Sequence, residues 1–242
     1  CDKGHTEIVL TGIHTGRYFD GEYDLAKLMK ALLENTPDYV YYRISSIEIT
    51  EVSDELIGLM QENSRMCHHL HIPVQSACNE TLKRMNRPYT IEQFKEKIEY
   101  IRSCIPDISI STDVIAGFVQ ESDEEFETTY KNLSELELSF FHVFPYSKRN
   151  GTKASTLKGE INGKIAKARV ARLLELSNEC RKRDMQRFNP VQVLIERQQD
   201  GYYTGYTNQY HPCKILSDTS ISGRITFEWQ RIEDGTYYGK KD

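Results

Sequence analysis

The stretch Ile108-Ser109-Ile110-Ser111-Thr112-Asp113-Val114-Ile115 reads as a β-strand, and its two flanks decide what kind of sheet it joins. Upstream, Ile91, Phe94, Ile98 and Ile101 recur at the spacing of one helix face. That helix opens on Thr90-Ile91-Glu92-Gln93, where hydroxyl and amide satisfy the free N–H groups of a helix start. Downstream, Ser122-Asp123-Glu124-Glu125 repeats the device before Phe126, Tyr130 and Leu133, and residues 139–145 (SFFHVFP) read as the next strand. A strand, a helix and a second strand within about 30 residues make a βα unit, which implies parallel strands with helices outside.

The same rhythm runs back to the start of the chain. Residues 7–13 (EIVLTGI), 39–45 (YVYYRIS) and 69–75 (HLHIPVQ) read as strands, and Leu25, Leu28, Met29, Leu32 and Leu33 form a helix stripe behind an Asp24 cap. Five strands are too few for a full eight-stranded barrel. A long Lys/Arg-rich helix pattern follows over residues 162–188, ended by Asn189-Pro190, because proline cannot continue a helix. From Val191 onward short β runs are punctuated by Asp200-Gly201, Ser222-Gly223 and Asp234-Gly235. The expected organisation is an α/β unit over residues 1–160, a basic connecting helix over 161–189 and a small β-barrel over 190–242.

Among the 242 residues, 38% are hydrophobic and 28% charged, a globular composition. No apolar run is long enough to span a bilayer and no signal-peptide pattern opens the chain, so a cytoplasmic location is the expectation. Cys1, Cys67, Cys78, Cys104, Cys180 and Cys213 are scattered, and no spacing suits a metal or cluster site. His69 and His71 share one strand face but have no third ligand nearby in sequence, so they read as structural histidines. The net charge of −5 is uneven: residues 1–144 carry 13 Lys/Arg against 25 Asp/Glu, and residues 145–189 carry 12 against 4. The basic band reads equally as a polyanion contact or as one solvated helix face.

Several blocks in fixed order resemble the tRNA methylthiotransferases of the radical S-adenosylmethionine (SAM) superfamily. They are Glu7-Ile8-Val9-Leu10-Thr11-Gly12-Ile13-His14-Thr15-Gly16, Arg43-Ile44-Ser45-Ser46-Ile47-Glu48, His69-Leu70-His71-Ile72-Pro73-Val74-Gln75-Ser76 with Leu82–Thr90, Ile110–Phe118, and His142–Thr152. The Ile-His-Thr-Gly ending is most similar to the branch that modifies threonylcarbamoyladenosine beside the anticodon. Gly205-Tyr206-Thr207-Asn208-Gln209-Tyr210 resembles part of a TRAM domain, the family's RNA-binding barrel. Ala77, Val119-Gln120 and Ile49 stand where the family usually has Gly, Pro-Gly and Pro.

The resemblance implies an α/β fold: a partial (β/α)6 radical SAM barrel lacking its first strand, then an OB-like TRAM domain. It implies SAM and [4Fe–4S] clusters as cofactors, with the cluster cysteines expected upstream of Cys1, so this chain alone is expected to be inactive. Thr11, Gly12, Ser45, Gln75, Asp113, Ile115, Phe144 and Tyr146 are the implied SAM contacts. Arg43, Arg84 and Arg87 are candidate clamps for a carboxylate or phosphate, since guanidinium forks bind such groups bidentately. Lys148 and Arg149 are candidates for RNA phosphate, and Tyr206 for base stacking. The implied partner is a tRNA anticodon stem-loop. Three alternatives stay open: a non-catalytic RNA-binding module, a methylthiotransferase for another adenosine modification or a ribosomal protein, and an acid–base barrel enzyme. Thr11, Ser45 and Gln75 are poor general bases for the last of these.

Overall fold

A computed structural model describes residues 1–241. Five parallel strands, β1 (Glu7–Leu10), β4 (Tyr41–Ile44), β5 (His69–His71), β6 (Ser109–Ala116) and β7 (Phe140–Pro145), lie side by side in chain order. β1 pairs with β4 and β5–β6–β7 pair in sequence; a Tyr42–Met66 bridge and the Ile47 N–H donating to His71 O join the two groups. The sheet stays open, because no strand pairs β1 with β7 among the described residues. A short hairpin, β2 (Phe19–Asp20) and β3 (Tyr23–Asp24), follows β1.

Helices α1 (Leu25–Asn35), α2 (Asp54–Glu62), α3 (Asn79–Arg84), α4 (Ile91–Cys104), α5 (Asp123–Glu135) and α6 (Gly163–Met185) connect the strands or follow the last of them. The expected caps form: Asp24 accepts from Lys27 N, and Thr90/Gln93 and Ser122/Glu125 make reciprocal capping boxes. Two strands are shorter than expected. β1 stops at Leu10, leaving Ile13 in solvent, and β5 stops at His71 because Pro73 has no N–H to give a ladder. Gln75 then turns at φ +67° and re-pairs with Val114.

The main core runs from Leu25 to Cys180 and takes in Leu173, Leu176 and Cys180 of α6. The basic helix is therefore packed against the sheet and is not a free-standing connector. Gly117, at φ +73°, marks that contact: a Cβ there would meet Ala166 at 2.9 Å. A second core, Met185 to Tyr237, fills an all-β unit of β8 (Val191–Gln199), β9 (Tyr202–Thr207), β10 (Pro212–Ser217), β11 (Gly223–Phe227), β12 (Arg231–Glu233) and β13 (Thr236–Lys241), in the order β11-β8-β9-β10-β13-β12. At the β8–β9 crossing a Cβ on Gly205 would sit 1.8 Å from Leu194 O, so only glycine fits.

Polar ties hold the two units together. Glu7 accepts from Arg43 at 2.8 Å and from Arg224 at 2.7 Å. Arg43 also donates to the carbonyls of Asn208 (3.0 Å) and Thr207 (3.1 Å). Asp184 of α6 meets His211 at 2.8 Å and accepts from Ser109. Each of these buried groups has an opposite or hydrogen-bonding partner, which is the condition for burying charge at tolerable cost.

Candidate functional site

A cleft of about 690 Å³ opens at the C-terminal end of the parallel strands, where open α/β sheets bind ligands. Gln75, Asp113, Ile115, Phe144 and Tyr146 line it, together with Arg84, Arg87 and Arg149. Eight of the fourteen site residues expected from sequence thus converge on one surface. The Tyr146 ring packs edge-on against Phe118, and its hydroxyl is buried with no partner; Arg84 Nε is in the same state. Both are unsatisfied polar atoms on residues that line the cleft.

The charged wall is held from behind. Glu125, the capping-box residue of α5, accepts from Arg84 at 2.8 and 2.5 Å, so a helix-start signal in the sequence also fixes a cleft arginine. The Arg84 hydrogen bonds hold the Glu125 carboxyl below its ordinary value. Arg87 pairs with Glu48 and donates to Pro73 O. Arg149 and Lys153, on the loop after β7, have no ion pair among the described residues.

The remaining expected residues lie elsewhere. Thr11 and Gly12 are exposed beyond the end of β1, outside the cleft. Arg43 is corrected from clamp to structural tie, because its guanidinium is buried and committed to Glu7, Thr207 O and Asn208 O. Lys148 pairs with Glu160 outside the cleft. Tyr206 is 36% exposed and stacks on Tyr210, which stacks in turn on His69. Part of the basic band is paired off: Arg169 binds Glu121 and Asp123, Arg172 binds Glu127 and Arg187 binds Asp184, while Arg181 lies over the Phe140 ring. Phe227, Trp229 and Tyr237 belong to the second core.

Ser45 lines a smaller cavity of about 210 Å³ on the concave face, with Val9, Arg43, His69, His71, Ser111, His142 and Tyr210. Sequence reading missed two features here. Glu121 accepts from Gly117 N at 2.8 Å and from Arg169 at 2.7 Å, bracing the loop after β6; burial raises its carboxyl despite both partners. A glycine at a strand end with a glutamate four residues on was its only sequence signal. The second is that β6 and β7 bring Asp113 and His142 against His71.

Residues 1–133, more than half of the chain, match the radical SAM superfamily. The chain belongs to that superfamily. Among curated relatives it is 36% identical to the threonylcarbamoyladenosine tRNA methylthiotransferase MtaB of Bacillus subtilis, over 93% of this chain and 52% of that protein. It is 34% identical to a tRNA-2-methylthio-N(6)-dimethylallyladenosine synthase of Thermodesulfovibrio yellowstonii, over 90% of this chain and 51% of that one. The chain thus spans about half the length of these relatives. Among solved structures, Elp3 of Methanocaldococcus infernus aligns with 93% of this chain and 75% of its own (TM-score 0.51, 12% identity). Coproporphyrinogen III oxidase of Escherichia coli, a radical SAM enzyme, aligns with 66% and 36% (TM-score 0.50, 19% identity). Both likenesses concern the fold.

The superfamily's cofactors are SAM and a [4Fe–4S] cluster, and the two fit this chain differently. The cleft suits a nucleoside: it offers aromatic and aliphatic surface, one carboxylate and unpartnered donors. A cluster needs grouped thiolates, and the six cysteines are dispersed, four of them buried. No helix is long and apolar enough to cross a membrane among the described residues.

Proposed function

We propose that this chain is the SAM-holding and RNA-holding part of a cytoplasmic tRNA methylthiotransferase acting on an N6-threonylcarbamoyladenosine-type adenine beside the anticodon. The observation that carries this reading is the convergence of Gln75, Asp113, Ile115, Phe144 and Tyr146 with three arginines on one cleft at the strand ends. SAM supplies the methyl and radical chemistry of the superfamily. This chain's residues bind and orient. Phe144 and Ile115 give apolar contact to the adenine, Asp113 accepts from the ribose hydroxyls, and the Gln75 amide and the unpartnered Tyr146 hydroxyl reach the remaining polar atoms. The dispersed cysteines supply no cluster site, so no redox step is assigned to these residues.

The wall composition supports the threonylcarbamoyl form of the substrate. Arg149 and Lys153, which have no ion pair among the described residues, border the cleft beside the paired Arg84 and Arg87; a threonyl carboxylate matches those two charges, whereas a dimethylallyl group would leave them unanswered. The all-β unit fits a TRAM-type barrel, with Tyr206 and the free basic residues near the cleft contacting the anticodon stem-loop.

Equilibrium dialysis with radiolabelled SAM tests the pocket. Phe144→Ala should weaken binding about tenfold, or about 1.4 kcal/mol, and Arg149→Glu should weaken binding of a stem-loop RNA while sparing SAM. If SAM binding is undetectable or indifferent to Phe144→Ala while RNA still binds, the chain is an RNA-binding module and the SAM reading fails.

A further inference from the structure

We propose that His71, Asp113 and His142 form a binding site for a divalent transition-metal cation, zinc by ligand type, on the concave face of the sheet. The three residues come from three adjacent parallel strands. Asp113 of β6 is in register with His142 of β7, and His71 of β5 is in register with Ser111, two residues before Asp113 and on the same face. One donor atom from each lies within 4.8 Å of the other two.

The His71–Asp113 spacing suits a shared cation better than a direct hydrogen bond. His71 Nε2 and Asp113 Oδ1 are 3.3 Å apart, longer than a charge-assisted hydrogen bond. Two ligands each about 2.0–2.1 Å from a tetrahedral zinc are themselves about 3.3–3.4 Å apart. The His71 ring is also oriented from behind, as ligating imidazoles are: its Nδ1 lies 2.9 Å from Ser111 Oγ, and the same hydroxyl lies 3.0 Å from His69 Nε2. With Nδ1–H of His71 donating to Ser111, and Ser111 donating to His69, the Nε2 lone pair of His71 points at Asp113. The opposite proton order would make His71 a donor to Asp113 and leave no ligand, and the experiment separates the two.

The electrostatic surroundings tolerate the ion. Asp113 supplies one negative charge, and Arg43, also on this face, is neutralised by Glu7. Two histidines and a carboxylate leave one position open, and His71 and His142 also line the 210 Å³ cavity, which has room for water or an added ligand. The site shares Asp113 with the cleft but does not rest on the SAM reading.

The test uses tag-free protein carrying Cys1→Ser, since the exposed Cys1 thiol would compete for soft metals. Co²⁺ is titrated as a visible-absorbing stand-in, with Zn²⁺ as competitor. One equivalent should bind with the absorption of a four-coordinate site and be displaced by Zn²⁺. Losing the hydrogen bond that orients a ligating imidazole costs about 10–100-fold in affinity, so Ser111→Ala should cost at least about tenfold, and His142→Asn or His71→Asn about 100-fold or more. His142 is exposed, so His142→Asn should keep the wild-type circular dichroism and melting temperature, which removes misfolding as an explanation. Absence of Co²⁺ binding, or affinity unchanged by His142→Asn, would overturn the proposal and reduce the triad to a hydrogen-bonded cluster. SAM dialysis on the same samples is read separately, so loss of metal binding with SAM binding intact removes only this inference.

Discussion

Replacing Arg43 with methionine tests whether the two units are locked together by charge. The substitution keeps much of the volume and removes four donations: two to Glu7, at 2.8 and 3.4 Å, and one each to Thr207 O and Asn208 O. Removing one partner of a buried ion pair costs about 3–5 kcal/mol. Arg224 stays on Glu7 at 2.7 Å and holds that part near the lower bound, while each weakened carbonyl adds up to about 1 kcal/mol. The expected loss is about 4 kcal/mol, and a double-mutant cycle with Glu7→Gln should give coupling of at least about 2 kcal/mol. Urea unfolding is followed by two probes. Trp229, the single tryptophan, reports the all-β unit through its contact with Phe188 O, and far-ultraviolet circular dichroism reports mainly the helices. The transitions should coincide in the wild type and separate in the variant. The pH dependence carries a sign. Burial alone would raise the Glu7 carboxyl, but the Arg43 and Arg224 charges and hydrogen bonds outweigh it and hold it below the ordinary 4.5. Its stabilisation is therefore full above about pH 4.5 and lost as pH falls through the lower folded value. Glu7→Gln should flatten that acid limb. A change below about 0.5 kcal/mol for Arg43→Met, with coincident transitions, would refute the tie.

Two other outcomes follow from packing. Gly205→Ala should destabilise the all-β unit by at least about 3 kcal/mol, because the added carbon collides with Leu194 O in a paired strand; Trp229 fluorescence during thermal melting reads this out. In native protein a thiol reagent should modify Cys1 first and Cys104 more slowly. Cys67, pushed up to about 12 mainly by burial, and Cys213, raised further, should stay silent until the chain unfolds.

The parts of this fold that were legible in sequence are those governed by local chemistry. Thr90-x-x-Gln93 and Ser122-x-x-Glu125 wrote two helix starts directly, and the 30-residue rhythm gave the parallel order of all five strands. The residues lining the cleft were also legible, since Gln75, Asp113, Ile115, Phe144 and Tyr146 all belong to motif blocks of the sequence. What escaped depends on pairings across long chain separations. Arg43 looked like a free clamp because its partners, Thr207 and Asn208, lie more than 160 residues away. The positive charge of residues 145–189 overstated the surface potential because Arg169, Arg172 and Arg187 are matched by carboxylates, most of them on another helix or loop. The His71–Asp113–His142 cluster was invisible for the same reason: β-register, not sequence spacing, assembles it.

The ring column Tyr206–Tyr210–His69 carries a lesson for engineering. Tyr210, a residue of the C-terminal module, lines the small cavity on its neighbour's sheet, with the Arg43 guanidinium 5.0 Å from its ring centre. Grafting this module onto a related enzyme, or exchanging modules between relatives to redirect RNA choice, would replace that part of the cavity wall. A functional chimaera therefore has to transplant Tyr210 and Arg43 as one unit, although a boundary drawn at the end of the long helix assigns them to different parents.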